Sequence, residues 1–373
     1  MLIGVPREIK ESEYRVGLTP SSVREAVAHG HRVIVETAAG AGIRATDDEY
    51  RAAGAEVVAT AEEVFARAEL VVKVKEPQEP ERRRLRPGQA LFTFLHLAPD
   101  PGQAEDLIAS GAIAIAYETV TSPAGGLPLL APMSEVAGRM SIQVGARFLE
   151  RPQGGRGVLL AGVPGVAPGR VVILGAGVVG TNAAAIASGM GAEVVLMDRS
   201  PEALRRAEAR FGPRVQTVFA ARELVAEQVA GAHLVVGAAL VPGARAPRLV
   251  TRDMLGRMKR GAVLVDVSID QGGAFETSRV TTHANPVFEV DGIVHYGVAN
   301  MPGAVPRTSA FALNNATLPY VLAIADQGWK RALEADPHLR AGLNVAAGRV
   351  THAQVAEALG RPFTPPLEAI ASA

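Results

Sequence analysis

Residues Gly175-Ala176-Gly177-Val178-Val179-Gly180 form a G-x-G-x-x-G pattern directly after the apolar run Val171-Val172-Ile173-Leu174. Such a run makes a parallel strand buried on both faces. Behind it, the first glycine permits a tight turn and the second lets a pyrophosphate approach the backbone. The third lets the following helix pack against the strand, with the phosphates at that helix's N-terminus. Ala183, Ala184, Ala185 and Ala187 suit a helix lying close to a sheet. A second run, Glu193 to Met197, ends in Asp198, roughly 20 residues beyond the glycines, where a carboxylate bonds a ribose 2′-hydroxyl. Three glycines alone are a common turn. Strand, glycines, helix, strand and terminal aspartate in register point to a dinucleotide.

Other residues able to do chemistry follow from a rule about open α/β sheets, which bind ligands beyond the carboxyl ends of their strands. Four polar residues fall at such places: Arg15 after the first strand, Lys75 at the end of LVVKVK, His96 at the end of LFTFLH, and Asp270 after Val263–Asp266. Each has a plainer reading. Arg15 lies in a charged loop with Glu8, Lys10, Glu11 and Glu13; Lys75 shares a strand face with Lys73 and suits a solvated surface. His96 sits among apolar residues, as a satisfied core histidine does, and Asp270 precedes Gly272-Gly273, as a turn residue does. Their joint position at strand ends favours a site.

The elements that must position these residues read as two α/β units. Strands are expected at Leu2–Val5, Val33–Glu36, Glu56–Val58, Leu70–Lys75, Ala90–Phe94 and Ile113–Tyr117, with helices near 20–30, 47–54, 61–67 and 102–110. Strands separated by helix-length segments imply a parallel, doubly wound sheet. Pro128 to Pro132 interrupts this pattern, and Ser134 is expected as the N-cap of a helix over Glu135–Glu150. The second unit carries strands at 171–174, 193–197, 233–237, 262–266 and 293–297, and residues 308–360 read as helical with no further strand. That tail should pack back on the first unit. The expected domains are 1–127 with 307–373 for substrate and catalysis and 128–306 for the dinucleotide, as two Rossmann-like domains with a cleft between them.

Composition narrows the function classes. With 373 residues, two domains of about 150 residues or more are expected, and 48% apolar residues can fill their cores. Lys plus Arg and Asp plus Glu number 38 each, so nothing favours nucleic acid or an anionic membrane as partner. The chain has no cysteine, which excludes disulfides, thiolate ligands and a cysteine nucleophile. MLIGVPREIK lacks the basic and long apolar regions of a signal peptide, so a cytoplasmic location is expected. Residues 171–192 are uncharged and imitate a membrane span, but their glycines, Thr181, Asn182 and Ser188 fit a buried strand, turn and helix better.

The segments GVPREIKESEYRVGLTP, VKVKEP, LFTFLHLA, LPLLAPMSEVAGRMSIQVGA, GVPGVAPGRVVILGAGVVGTNAA, DVSIDQGG and GVANMPGAVPRTS resemble those of bacterial NAD-dependent alanine dehydrogenases. These enzymes are relatives of the NAD-binding part of proton-translocating nicotinamide nucleotide transhydrogenase. The resemblance runs over nearly the whole chain. It implies that Arg15 and Lys75 bind substrate and that His96 and Asp270 are the acid/base residues. It implies NAD contacts at Ser134, Gly175, Gly177, Val178, Gly180, Asp198, Ala239, Leu240, Val267, Ser268, Ile269, Asp270, Arg279, Val298, Ala299, Asn300 and Met301, with no metal. One departure concerns the adenosine side, where relatives often place a polar or basic contact and this chain has Ala203 and Ala220.

The implied reaction interconverts L-alanine with pyruvate and ammonium, in a homo-oligomer that the family makes a hexamer. Arginine's planar fork suits a carboxylate, Lys75 and His96 can donate to the reacting oxygen, and histidine is the best proton-transfer candidate by residue type. Rival readings are another NAD(H)-dependent enzyme of this scaffold, such as a transhydrogenase component or a saccharopine-type dehydrogenase, and a non-catalytic NAD-binding sensor.

Overall fold

The computed structural model describes residues 1–239 and 246–373, and divides into two compact units, residues 1–133 with 305–373 and residues 134–304. The first unit is built on strands β1 (Leu2–Val5), β2 (Arg32–Glu36), β3 (Glu56–Val58), β4 (Leu70–Val72), β5 (Ala90–Thr93) and β6 (Ile113–Ala116), all parallel in the order β3-β2-β1-β4-β5-β6. Every residue of β4, β5 and β6 is buried, which is why they read as unbroken apolar runs rather than alternating ones. Val64, Phe65, Val71, Leu91 and Ala114 form the centre of one core between this sheet and its helices.

The strand order reverses between β1 and β4, which marks the ligand end of an open sheet there. Helix Pro306–Gln327 joins this unit near that point: the Asn314 side chain accepts the Thr19 N–H at 2.8 Å, and Arg307 donates to the Ile43 carbonyl at 2.7 Å.

The second unit repeats the order. Strands β7 (Arg170–Leu174), β8 (Glu193–Asp198), β9 (Gln216–Phe219), β10 (Leu234–Gly237), β11 (Val263–Asp266), β12 (Val287–Val290) and β13 (Ile293–Tyr296) lie as β9-β8-β7-β10-β11-β13, parallel, with β12 antiparallel on the edge. Its reversal point lies between β7 and β10. Each unit is thus a doubly wound α/β sheet with a short antiparallel addition.

Several sequence expectations need correction. The helix expected from Glu135 runs over Ala131–Phe148, so Ser134 sits in its first turn and does not cap it. Pro132 is the cause: proline is well tolerated in a first helical turn, where its missing N–H has no partner to lose. The strand expected to reach Lys75 ends at Val72.

The tail is not wholly helical either. Strands β14 (Leu343–Ala346) and β15 (Arg349–Val350) form a hairpin on β6. Ala347 and Gly348 both have positive φ, +50° and +71°, as a two-residue hairpin turn that follows the strand twist requires. The buried Asn344 interrupts the apolar pattern and hides the strand; it donates to Thr119 Oγ1 at 2.8 Å. The expectation also lacked β9 and β12, although Asp291-Gly292 between β12 and β13 is a strong hairpin signal. Among the described residues, no helix is long and apolar enough to cross a membrane.

Candidate active site

In the second unit, the turn after β7 shows what each glycine does. Gly175 has φ +115°, and a Cβ there would lie 2.6 Å from the Ala238 carbonyl oxygen. A Cβ at Gly180 would lie 1.7 Å from the Gly175 oxygen, so the helix Val178–Gly189 packs on the turn only because no side chain intervenes. A Cβ at Gly177 would meet nothing within 4 Å. It would instead fill the space before the helix N-terminus, where the first N–H groups of a helix have no internal partner and suit a phosphate. Val178 is exposed at that first turn.

Asp198, at the end of β8, accepts the Ala176 N–H at 2.6 Å and the Ser200 N–H at 2.8 Å. The carboxylate therefore braces the glycine turn from the neighbouring strand. Ala203 and Ala220 are buried, with no polar side-chain atom to offer an adenosine.

The remaining second-unit residues cluster on two loops. The Ala239 carbonyl accepts the Ser268 hydroxyl at 2.7 Å, while Leu240 lies outside the described residues. Buried Asp266 organises the turn after β11 by accepting the Ser268 N–H at 3.0 Å, the Ala274 N–H at 2.9 Å and the Ser278 hydroxyl. Burial pushes its carboxyl above the usual range, against these hydrogen bonds. The turn holds half-buried Val267, buried Ile269 and exposed Asp270. The parallel Thr281–Val298 bridge sets Gly297 against the stretch 279–281: the Thr281 N–H donates to the Gly297 carbonyl at 2.8 Å, and a Cβ at Gly297 would lie 2.4 Å from the Arg279 carbonyl oxygen. Arg279 stacks over Phe288 at 4.1 Å. Val298 and Met301 are buried, Ala299 and Asn300 half-buried, and Asn300 has φ +56°. Ser134 is half-buried in its helix.

In the first unit, the loops after β1, β4 and β5 carry the substrate candidates. Arg15 is only 2% exposed, which excludes the surface reading. Its Nε donates to Glu13 Oε1 at 2.7 Å, its Nη2 pairs with Glu13 Oε2 at 2.5 Å, and its Nη1 lies 2.9 Å from Met133 Sδ. Lys73 is not solvated either: fully buried, it bonds Glu8 at 3.0 Å and Glu81 at 2.7 Å. Burial works against that ammonium, yet the two carboxylates together hold its pKa above the ordinary lysine value. Burial raises the Glu8 carboxyl.

Lys75 behaves in the opposite sense. Burial lowers its pKa first and the nearby Arg15 charge lowers it further, so these two cations share one neighbourhood. Next to them, Thr93 Oγ1 donates to the Lys75 carbonyl at 2.9 Å and the Phe94 N–H to the Val74 carbonyl at 3.2 Å, which ties the loop carrying His96 to the one carrying Lys75.

His96 is not a core histidine. Its side chain is 46% exposed, it stacks on Phe94 with centroids 5.8 Å apart, and its backbone is left-handed at φ +50°. For a residue with a Cβ that conformation costs about 1–2 kcal/mol, and such strain concentrates at functional sites. Arg15, Lys75 and His96 therefore gather at one end of the first sheet, and Asp270 belongs to the second unit. The sequence reading missed Glu8, Glu13, Lys73, Glu81 and Glu118, which hold these loops. One signal was present: a lysine inside the run LVVKV must be buried, and buried lysines are paired.

Comparison with known proteins bears on the family and the fold. The family model "Alanine dehydrogenase/PNT, N-terminal domain" matches residues 4–137, and "Alanine dehydrogenase/PNT, C-terminal domain" matches residues 141–353. The alanine dehydrogenase of Halomonas elongata is 58% identical over 363 residues, covering 97% of this chain and 98% of that protein. A solved L-alanine dehydrogenase superposes with a TM-score of 0.94 at 54% identity, over 96% of this chain and 99% of that one. A transhydrogenase structure from Sinorhizobium meliloti gives 0.82 at 27% identity, over 95% and 99%.

Proposed function

The chain belongs to the alanine dehydrogenase/PNT family, and from that premise we propose that it catalyses the reversible, NAD-dependent oxidative deamination of L-alanine. In that reaction L-alanine, NAD⁺ and water give pyruvate, ammonium, NADH and a proton. The observation that carries the proposal is that buried Arg15, Lys75 and exposed His96 stand on loops at one end of the first sheet, with the Lys75 loop tied to the loop that carries His96. Two cations next to an imidazole suit a small 2-oxo or 2-amino acid.

Arg15, its plane fixed by Glu13, binds the substrate carboxylate through charge-assisted hydrogen bonds. Lys75 donates to the carbonyl oxygen of pyruvate or to the carbinolamine hydroxyl. The His96 imidazole takes a proton from the water that adds to the imine carbon. It returns a proton as the carbinolamine expels ammonia. Asp270 positions that water or the departing ammonium. Gly175, Gly177, Gly180 and Asp198 hold the dinucleotide's pyrophosphate and adenosine ribose, with Ser134, Ala239, Arg279 and the segments 267–270 and 298–301 as further contacts. The nicotinamide held there would supply the hydride acceptor for the alanine Cα.

NAD is preferred over NADP because a 2′-phosphate would meet the Asp198 carboxylate, although exposed Arg199 beside it could accommodate such a phosphate. The test is kcat/KM for both cofactors in wild type and Asp198→Ala. We expect a strong NAD preference that narrows in the variant; equal values for both cofactors in wild type would refute it. Family likeness supports a cytoplasmic homo-oligomer, a hexamer.

A further inference from the structure

We propose that Glu118 is a positioning residue for the reaction, acting on His96 through the main chain. The inference rests on the reading of His96 as the proton-transfer group. Glu118 lies in the single turn Tyr117–Thr119 directly after β6, the strand that pairs with β5 in the register Thr93 to Ala116. The two loops therefore leave adjacent parallel strands side by side, and the Glu118 side chain reaches across. Its Oε1 accepts the His96 N–H at 2.6 Å, and both of its oxygens lie 3.2 Å from the Leu95 N. On the other side of the same peptide unit, buried Gln103 donates to the Leu95 carbonyl at 2.7 Å.

Residues 95 and 96 have left the sheet, so their polar main-chain groups need other partners. Side chains supply them, and residue 96 takes its left-handed conformation within that frame. Toward the ring the carboxylate makes no hydrogen bond, only an ion-pair contact when the imidazole is protonated: Oε1 is 3.7 Å from His96 Nδ1. What Glu118 fixes is the direction in which the loop presents the imidazole. The same device recurs at the other two substrate residues, since Glu8 accepts the Val74 N–H at 2.7 Å beside Lys75 and Glu13 accepts the Arg15 N–H at 2.9 Å. Glu118 is the cleanest of the three to test, because among the described residues its ion-pair contact is with the exposed His96 and not with a buried cation.

The experiment compares Glu118→Gln, Glu118→Asp and Glu118→Ala, each alone and in a His96→Ala background. The readouts are kcat and KM for L-alanine, NADH affinity by fluorescence, and thermal midpoint. A glutamine oxygen still reaches both N–H groups, whereas aspartate keeps the charge but falls one methylene short. The expected result is a kcat within about threefold of wild type for Gln and a loss of roughly tenfold or more for Asp and Ala, as misplacement of a reacting group produces. NADH affinity and alanine KM should change little. In the His96→Ala background the Asp and Ala changes should cost almost nothing further, because residues acting as a unit are non-additive.

Equal losses for Gln and Asp would overturn the proposal, as would an undiminished effect of Glu118→Asp without the imidazole. Near wild-type turnover of His96→Ala alone would overturn the underlying reading of His96 instead.

Discussion

Arg15 and Lys75 are both cations at one sheet end, yet the structure gives them different behaviour. Arg15 is locked to Glu13, so its guanidinium plane is set before substrate arrives. Arg15→Ala should raise KM for pyruvate and alanine roughly 10–150-fold, corresponding to a charge-assisted pair of about 1.5–3 kcal/mol. Arg15→Lys should recover only part of this, because an ammonium has no planar fork; full recovery in steady-state kinetics would contradict bidentate binding.

Lys75 has its pKa lowered by burial and then by Arg15. Between that lowered value and the ordinary one, the unfolded chain holds a proton that the folded chain has released, so stability rises with pH across that window. Activity moves the other way, since deprotonated Lys75 cannot donate to the carbonyl oxygen. The alkaline fall of kcat/KM for pyruvate should begin below the ordinary lysine value of about 10.4 and disappear from the profile of Lys75→Arg. A limb unchanged in that variant would assign it to another group. Position at strand ends was enough to single out Arg15, Lys75 and His96 in the sequence. Their partners were illegible because Glu8, Glu13 and Glu118 stand in polar segments that look solvated, and only the folded chain shows which of them are buried.

At the scale of elements, the strand, turn, helix and strand around 171–198 were legible because Gly175 and Gly180 are required by close approaches within the chain, while Gly177 leaves open the space before the helix. That claim separates two substitutions of identical chemistry. Gly180→Ala drives a methyl group into the Gly175 carbonyl and should destabilise the protein by about 1–3 kcal/mol, the usual cost of overpacking. Gly177→Ala meets no protein atom and should leave stability within about 0.5 kcal/mol while weakening NADH binding. Denaturant unfolding and NADH titration of both variants check this. Unchanged NADH affinity in Gly177→Ala would mean that the phosphates do not approach that position. Elements without such constraints were harder to see. The hairpin of β14 and β15 is short and contains the buried polar Asn344, and β9 is a half-exposed edge strand with no long apolar run. The helix at Ala131 was read too late because its proline looked like a breaker instead of a first-turn residue.

For the whole molecule, the doubly wound class was legible because buried parallel strands must be apolar throughout and must be separated by crossover helices. Both sheets adopt the same order and so place their loops at a reversal point. In the proposed function the first unit binds and protonates a small amino or oxo acid and the second unit carries the dinucleotide. The most direct test is the initial rate of NADH formation from L-alanine and NAD⁺, with wild type and His96→Ala assayed at matched NADH affinity. The account predicts sustained turnover for wild type and a loss of roughly 10²–10⁴-fold in kcat for His96→Ala, the usual contribution of a positioned acid/base group. Tight NADH binding with no alanine-dependent turnover in wild type would contradict it and leave a nucleotide-binding sensor in its place.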